Sequence, residues 1–287
     1  MSAVLISSDQ KRQTLFARFL EEFFESRLAT LGFFMLAAIV LLALAAPWVA
    51  PQNPYDLAML NLLDSRLPPG EGGYVLGTDG QGRDMLSAIL YGMRVSLYVG
   101  IASGAIALTL GALTGVLAAY AGGRVEQFVM RVVDIQLGFP AILVALILLA
   151  VLGRGVDKII IALVCVQWAY YARTARSAAL VERSKEYIEA ARGLGLSRSR
   201  IVLRHLLPNA MPPLIVVGTV QVAHAIALEA TLSFLGLGLL IANGYEYLLS
   251  GRYWISVYPG LALLATILSI NLVGDRLRDQ LNPRLAR

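Results

Sequence analysis

Apolar positions in this chain fall into long unbroken runs rather than the one-sided stripe of a soluble amphipathic helix. A helix crossing a bilayer needs about 20 apolar residues. Leu28–Ala50, Val95–Gly123, Ile135–Gly153, Leu206–Leu228 and Tyr253–Gly274 contain no charged residue. Ile159–Ala172 is shorter, but Lys158 and Arg173 at its ends can snorkel. The pattern predicts six spanning helices. It shows none of the short alternation of a β-barrel, and helices satisfy their own backbone in lipid.

Six spans put both termini on one side. With the N-terminus inside, the cytoplasmic segments hold 18 of the 24 Lys and Arg and the outer segments 6. This asymmetry predicts an N-in, C-in topology. Residues 1–27 read as a cytoplasmic N-terminal segment and 28–287 as the membrane domain, with a long outer loop at 51–91 and a cytoplasmic loop at 173–208. An outer loop this long, rich in Pro and Gly, reads as functional. Val95–Gly123 carries Gly100, Gly104, Gly111 and Gly115 on nearly one helical face. Such a face lets helices approach closely, either within the subunit or against a partner.

Composition agrees. The chain is 57% hydrophobic and 15% charged, against about 25% charged for a soluble domain. No cleavable signal pattern stands out. The formal charge of +5 is explained by basic cytoplasmic loops, so nucleic acid is not an expected partner. Cys165 has no partner for a disulfide and reads as a small buried hydrophobe. His205 and His224 are the only histidines, so no metal site is expected.

The 173–208 loop stands out as a polar, helix-forming segment between greasy runs. Ser184 can cap a helix that carries Glu186 and Glu189 in its favourable first turn. Ala190 and Ala191 permit close contact with another surface, and Gly193 and Gly195 end the helix. Ser197 can cap a second short helix before Pro208 opens the fifth span. On the residues alone, this is either a solvated amphipathic loop or a docking segment. Glu189-Ala-Ala followed by Gly195, His205 and Leu207-Pro208 resembles the EAA loop of bacterial ABC importer permeases, with His205 where Ile is usual. Leu76-Gly-Thr-Asp-Gly-Gln-Gly-Arg-Asp84, Tyr91-Gly-Met-Arg94, Tyr120-Ala-Gly-Gly123, Met130-Arg-Val-Val-Asp134, Phe139-Pro140, Pro259-Gly260 and Asn271-Leu-Val-Gly-Asp275 resemble the dipeptide, oligopeptide and nickel branch, second permease subunit. One stretch departs. After Leu232-Ser-Phe-Leu-Gly-Leu-Gly238 the family usually carries a Pro-rich stretch and a Trp-Gly segment, whereas here Leu239-Leu240 and Ile241-Ala-Asn-Gly244 follow. This reads as a naturally short loop or as one missing from the sequence, the second being preferred.

The resemblance implies a type I ABC importer permease fold in the bacterial inner membrane, multi-pass. It implies a second permease subunit, two ABC ATPase subunits and an extracytoplasmic binding protein. Glu186, Glu189, Ala190, Ala191, Gly195, His205, Leu207 and Pro208 would couple the chain to an ATPase. A P-loop needs Gly-Lys-Ser/Thr. Lys11, Lys158 and Lys185 follow Gln10, Asp157 and Ser184, so ATP and Mg²⁺ are expected only in the partner ATPases, and this chain carries no cofactor or catalytic residue. Di- and oligopeptides are the implied cargo, with a nickel or metal chelate or glutathione as alternatives.

The outer motif Gly77, Thr78, Asp79, Gly82, Arg83 and Asp84 reads either as an internally bridged cap or as a contact for the binding protein or substrate. Gln221 and His224 could line the pore or hydrogen-bond between helices. Asp134 is expected to pair with Arg131, and Glu229 to lie toward the outer face. An ion-coupled secondary transporter is the rival from another class, but no convincing inverted repeat is present. An intramembrane enzyme lacks a catalytic set, and a passive channel would not explain the cytoplasmic loop.

Overall fold

The computed structural model describes residues 15–234 and 250–281. Among them every regular element is helical, apart from an isolated bridge between Thr78 and Asp84. In chain order the α-helices are α1 (Leu15–Glu25), α2 (Arg27–Val49), α3 (Met85–Ala121), α4 (Gly123–Leu137), α5 (Ala141–Leu152), α6 (Val156–Arg183), α7 (Glu186–Gly193), α8 (Arg198–Ile201), α9 (Leu207–Phe234) and α10 (Trp254–Leu281), with two 3-10 turns, Leu57–Met59 and Leu62–Asp64, in the outer loop. A π-helical turn, Val202–Leu206, joins α8 to α9 without a break. The departure expected at Gly238–Gly244 lies outside the described residues.

Four segments are long and apolar enough to cross a membrane unaided: α2, α3, Arg198–Ser233 and α10. The third predicted span is a bent pair. α4 and α5 meet at 90°, because Pro140 has no N–H to continue a helix and disfavours helical backbone at Phe139. The fourth predicted span lies inside α6, which is long enough but gathers Arg173, Arg176, Glu182 and Arg183 along its cytoplasmic end. Its middle is shielded: Leu163, Ala169, Tyr171, Ala172, Ala175 and Ala179 are fully buried. A central helix need not be uniformly apolar.

Several boundaries move. α3 starts at Met85, not Val95, since buried Asp84 caps it by accepting the Ser87 N–H at 2.8 Å. The outer loop is therefore shorter than 51–91. Residues 173–183 are the last turns of α6, so the cytoplasmic connection begins only at Ser184. The N-terminal segment contributes helix α1. α1 packs Phe23 and Phe24 edge-on to Phe33. Arg276 donates to the Glu22 carbonyl and Gln280 donates to the Phe19 carbonyl. Both described ends of the chain thus meet at one end of the bundle, as an even number of crossings requires.

The small face of α3 packs within the subunit. Gly100 lies against Ile226 and Gly104 against Val222 of α9, while Gly111 and Gly115 lie on the α6 backbone at Trp168 and Ala172. Cys165 is exposed rather than buried; in a chain bathed in lipid, an apolar run does not by itself distinguish inside from outside. Asp134 pairs with Arg173 across to α6 at 2.6 Å, not with Arg131 on its own helix.

Candidate functional site, a cytoplasmic segment on a shared core

The segment after α6 is held by the bundle's own core. Ile188, Ala191, Ile201, Val202 and Leu206 are buried in one cluster with Ala107, Val116, Tyr171, Ala175 and Leu214 of α3, α6 and α9. α7 is thus seated by one face, and its other face is free. Glu186, Glu189 and Ala190 are exposed on that free face. Ala191 is not, so its small size serves the internal contact instead of a partner's surface. Ser184 does not cap α7. Its hydroxyl donates to the Val181 carbonyl at the end of α6, and Lys185 occupies the N-cap position. Ser197 does stand at the N-cap of α8, but its hydroxyl pairs with that of Ser199.

Gly195 ends α7 in the left-handed region, with φ +73°. The turn closes through Leu194 N–H to the Ala190 carbonyl and Leu196 N–H to the Ala191 carbonyl, the pattern glycine permits after a helix. This turn thrusts Leu194 outward, 81% exposed. Composition gave no hint of Leu194; its position between Gly193 and Gly195 is the only signal. The expected second helix is not separate. Pro208 cannot donate to the carbonyl four residues back and its ring would crowd it. The chain widens instead, with the Leu207 N–H reaching the Val202 carbonyl five residues back. Single π turns of this kind recur at functional sites.

A hydrogen-bonded clamp ties α7 to two spans. The Tyr187 hydroxyl donates to Glu182 Oε1 of α6 at 2.5 Å and accepts from Asn209 Nδ2 of α9 at 3.1 Å. Lys185 Nζ lies 2.7 Å from Glu182 Oε2, and the His205 ring stands edge-on to Tyr187 at 6.1 Å. Burial opposes ionisation of Glu182, but the hydrogen bonds from Lys185 and Tyr187 outweigh it and hold the carboxyl below its ordinary range. Tyr187 is pushed up to about 12 by desolvation and by its bond to Glu182. Leu207 is half-buried and Pro208 exposed at the start of α9.

At the opposite end the outer motif is knotted on itself. Asp79 accepts the Gln81 and Arg83 N–H groups and pairs with Arg83 Nε at 2.7 Å. The fully buried Thr78 hydroxyl accepts the Leu67 N–H and donates to the Asp64 carbonyl. Gly77 and Gly82 have positive φ, +77° and +74°. Trp254 Nε1 donates to the Thr78 carbonyl, fastening this cap to α10. Asp79 and Arg83 are paired with each other and also line a cavity together with Ser96 and Glu229.

Gln221 and His224 border a groove of about 280 Å³ between α5, α6 and α9, together with Gln167, Tyr170 and Thr231. Gln221 is buried and its backbone carbonyl accepts from Gln167 Nε2 of α6, whereas His224 is exposed in the groove. Glu229 is buried near the outer end of α9, accepting from Ser96 and Ser233 at 2.6 and 2.7 Å. Among the described residues no cluster of three or more His, Cys, Asp or Glu gathers as a metal site.

An apolar helical bundle with a polar segment presented from one end is the architecture of a multi-pass membrane protein. Residues 107–287 match the family described as the binding-protein-dependent transport system inner membrane component, and the chain belongs to that family. Residues 14–69 match the N-terminal transmembrane domain of oligopeptide transport permease C. The di/tripeptide transport system permease protein DppC of Pseudomonas aeruginosa is 38% identical, with 93% of this chain and 91% of that one covered. The oligopeptide transport system permease protein OppC of Bacillus subtilis is 34% identical, over 92% and 88%. A solved structure of the MetNI methionine ABC transporter in an inward-facing conformation shares the fold. Its TM-score is 0.59 at 24% identity, over 69% of this chain and 98% of that one. The protein is therefore a multi-pass inner-membrane permease subunit of an ABC importer, non-catalytic itself, with ATP hydrolysis in separate subunits.

Proposed function

We propose that the chain forms half of the translocation pathway of an importer for di- and oligopeptides, paired with a second, homologous permease subunit. Two ABC ATPases, which hold the ATP and Mg²⁺, drive it, and an extracytoplasmic binding protein delivers the cargo. The peptide assignment is supported by the similarity to permeases named for di/tripeptide and oligopeptide transport. The observation carrying the coupling assignment is α7 itself. One face is rooted in the core of α3, α6 and α9, and the other presents Glu186, Glu189, Ala190 and protruding Leu194 at the cytoplasmic end. Closure of the ATPases on nucleotide would swing this root and rock the spans between inward- and outward-facing states. The groove beside His224 then lies on the face turned to the second permease, and the pathway runs between them.

Gly195 provides the test. No neighbouring atom lies within 4 Å of an added Cβ, but φ is +73°. A Gly195→Leu side chain would project outward and strain the turn by roughly 1–2 kcal/mol, leaving the buried root intact. We expect the variant to insert normally but to lose peptide-stimulated ATP hydrolysis and uptake in reconstituted vesicles. Normal uptake with normal coupling would refute the docking assignment. Uptake of a nickel chelate or glutathione in place of labelled peptides would overturn the cargo alone.

A further inference from the structure

A second cavity, of about 810 Å³, opens at the cytoplasmic end between the last turns of α3, the start of α4 and the α8–π segment. Its walls are apolar: Leu113, Leu117, Val125, Val129, Val202 and Leu203 line it. Leu113 and Leu117 end an exposed apolar stripe that descends α3 through Tyr98, Ile101, Ile106 and Leu110. A stripe of this kind, on a spanning helix, is suited to contact with acyl chains.

The rim of the cavity is basic. Arg183, Arg192 and Arg198 line it, and no Asp or Glu does. Arg183 Nη1 donates to the Ala119 carbonyl at 2.6 Å, which fixes it at the end of α3. The Arg192 guanidinium stands over the Tyr120 ring, 5.5 Å from its centre. Neither contact neutralises charge, and among the described residues none of the three is in an ion pair. Ser199 adds a hydroxyl at the same level. Three cations above an apolar trough, at the cytoplasmic end of α3, match a phosphodiester head carrying acyl chains. Basic pockets between spanning helices on the cytoplasmic side recognise anionic headgroups in this way, and guanidinium suits phosphate by its forked donors.

We propose that this groove is a binding site for an anionic phospholipid of the inner leaflet. The phosphate sits among Arg183, Arg192 and Arg198, and the chains lie along Leu113, Leu117, Val125 and Leu203. Because Arg192 belongs to α7 and Arg198 to α8, the lipid is wedged against the docking segment and braces it on α3.

The test uses the assembled importer in nanodiscs of phosphatidylcholine with or without phosphatidylglycerol. Lipid retained after detergent extraction is quantified by mass spectrometry. The wild type should retain phosphatidylglycerol over phosphatidylcholine, and Arg192→Gln/Arg198→Gln should lower that preference by on the order of tenfold. Arg154→Gln, an exposed arginine at the other end of the bundle, should not. If the double variant fails to assemble, Leu203→Trp fills the trough from its apolar side and should displace the lipid with all three arginines present. Inorganic phosphate should not compete; displacement by phosphate alone would make this an ion site and overturn the proposal. Equal retention of both lipids, unchanged retention in the variants, or density for an ATPase or permease side chain in the groove would also overturn it.

Discussion

Of the described helical glycines, Gly115 approaches a neighbouring backbone most closely, and it yields the sharpest stability prediction. A Cβ added at Gly115 would stand 2.8 Å from Ala175 Cβ and inside contact distance of the Ala172 carbonyl oxygen. Carbon atoms pack best at about 3.5–4.0 Å, so Gly115→Ala must push α6 off α3 by roughly 1 Å. The obstacle is backbone and cannot rotate away. Overpacking of this kind costs about 1–3 kcal/mol. The better helix propensity of alanine returns about 0.5–1 kcal/mol, leaving a net loss of about 1–2 kcal/mol. Gly260→Ala is the matched control, an exposed α10 glycine with no atom within 4 Å of its added Cβ. It keeps the propensity gain without the clash. At about 2–4 °C per kcal/mol, thermal unfolding of the purified importer followed by tryptophan fluorescence should show Gly115→Ala several degrees below wild type and Gly260→Ala at or slightly above it. Equal melting of the two variants would mean that α3 and α6 do not meet at Gly115.

Tyr187→Phe removes the hydroxyl shared by Glu182 and Asn209; ATP turnover should persist while peptide moved per ATP falls, measured in vesicles, and unchanged stoichiometry would count against the clamp. Its pH signature has two limbs. Glu182 is held below its ordinary value, so its contribution is present above pH 4.5 and lost as pH falls through the folded value. Tyr187 is raised, so its contribution is present below pH 10 and lost as pH rises toward about 12. Melting temperatures of Tyr187→Phe should therefore show a flatter alkaline limb than wild type. Gly77→Ala forces an L-residue to φ +77° with its Cβ 2.5 Å from the Leu67 carbonyl oxygen. The cap should loosen, seen as faster proteolysis of the outer loop from outside with the bundle's melting unchanged.

The apolar runs and the basic asymmetry made the bundle and its orientation legible, because lipid solvation acts on whole segments. Exact boundaries were less so. The start of α3 depends on Asp84 as a cap and on Arg94 being tolerated inside a helix, which a charge-free window cannot register. The bend at Gly138–Pro140 was present in the letters, yet an apolar run on both sides concealed it. In the cytoplasmic segment, Gly195 was readable because left-handed backbone narrows the choice of residue. The inward turn of Ala191, the Tyr187–Glu182–Asn209 clamp and the pairing of Asp134 with Arg173 join residues far apart in sequence. Local periodicity carries no information about such meetings.

The π turn at Val202–Leu206 has a mechanical consequence. Because it passes from α8 into α9 with every residue still helical, no slack separates the cytoplasmic knuckle from the fifth span. A torque applied at Arg198 therefore reaches Gln221 and His224 through continuous helix, by way of the wide turn and the Pro212–Pro213 step of α9. Those two places, where backbone hydrogen bonds are shifted or missing, are where the helix can take up or release twist.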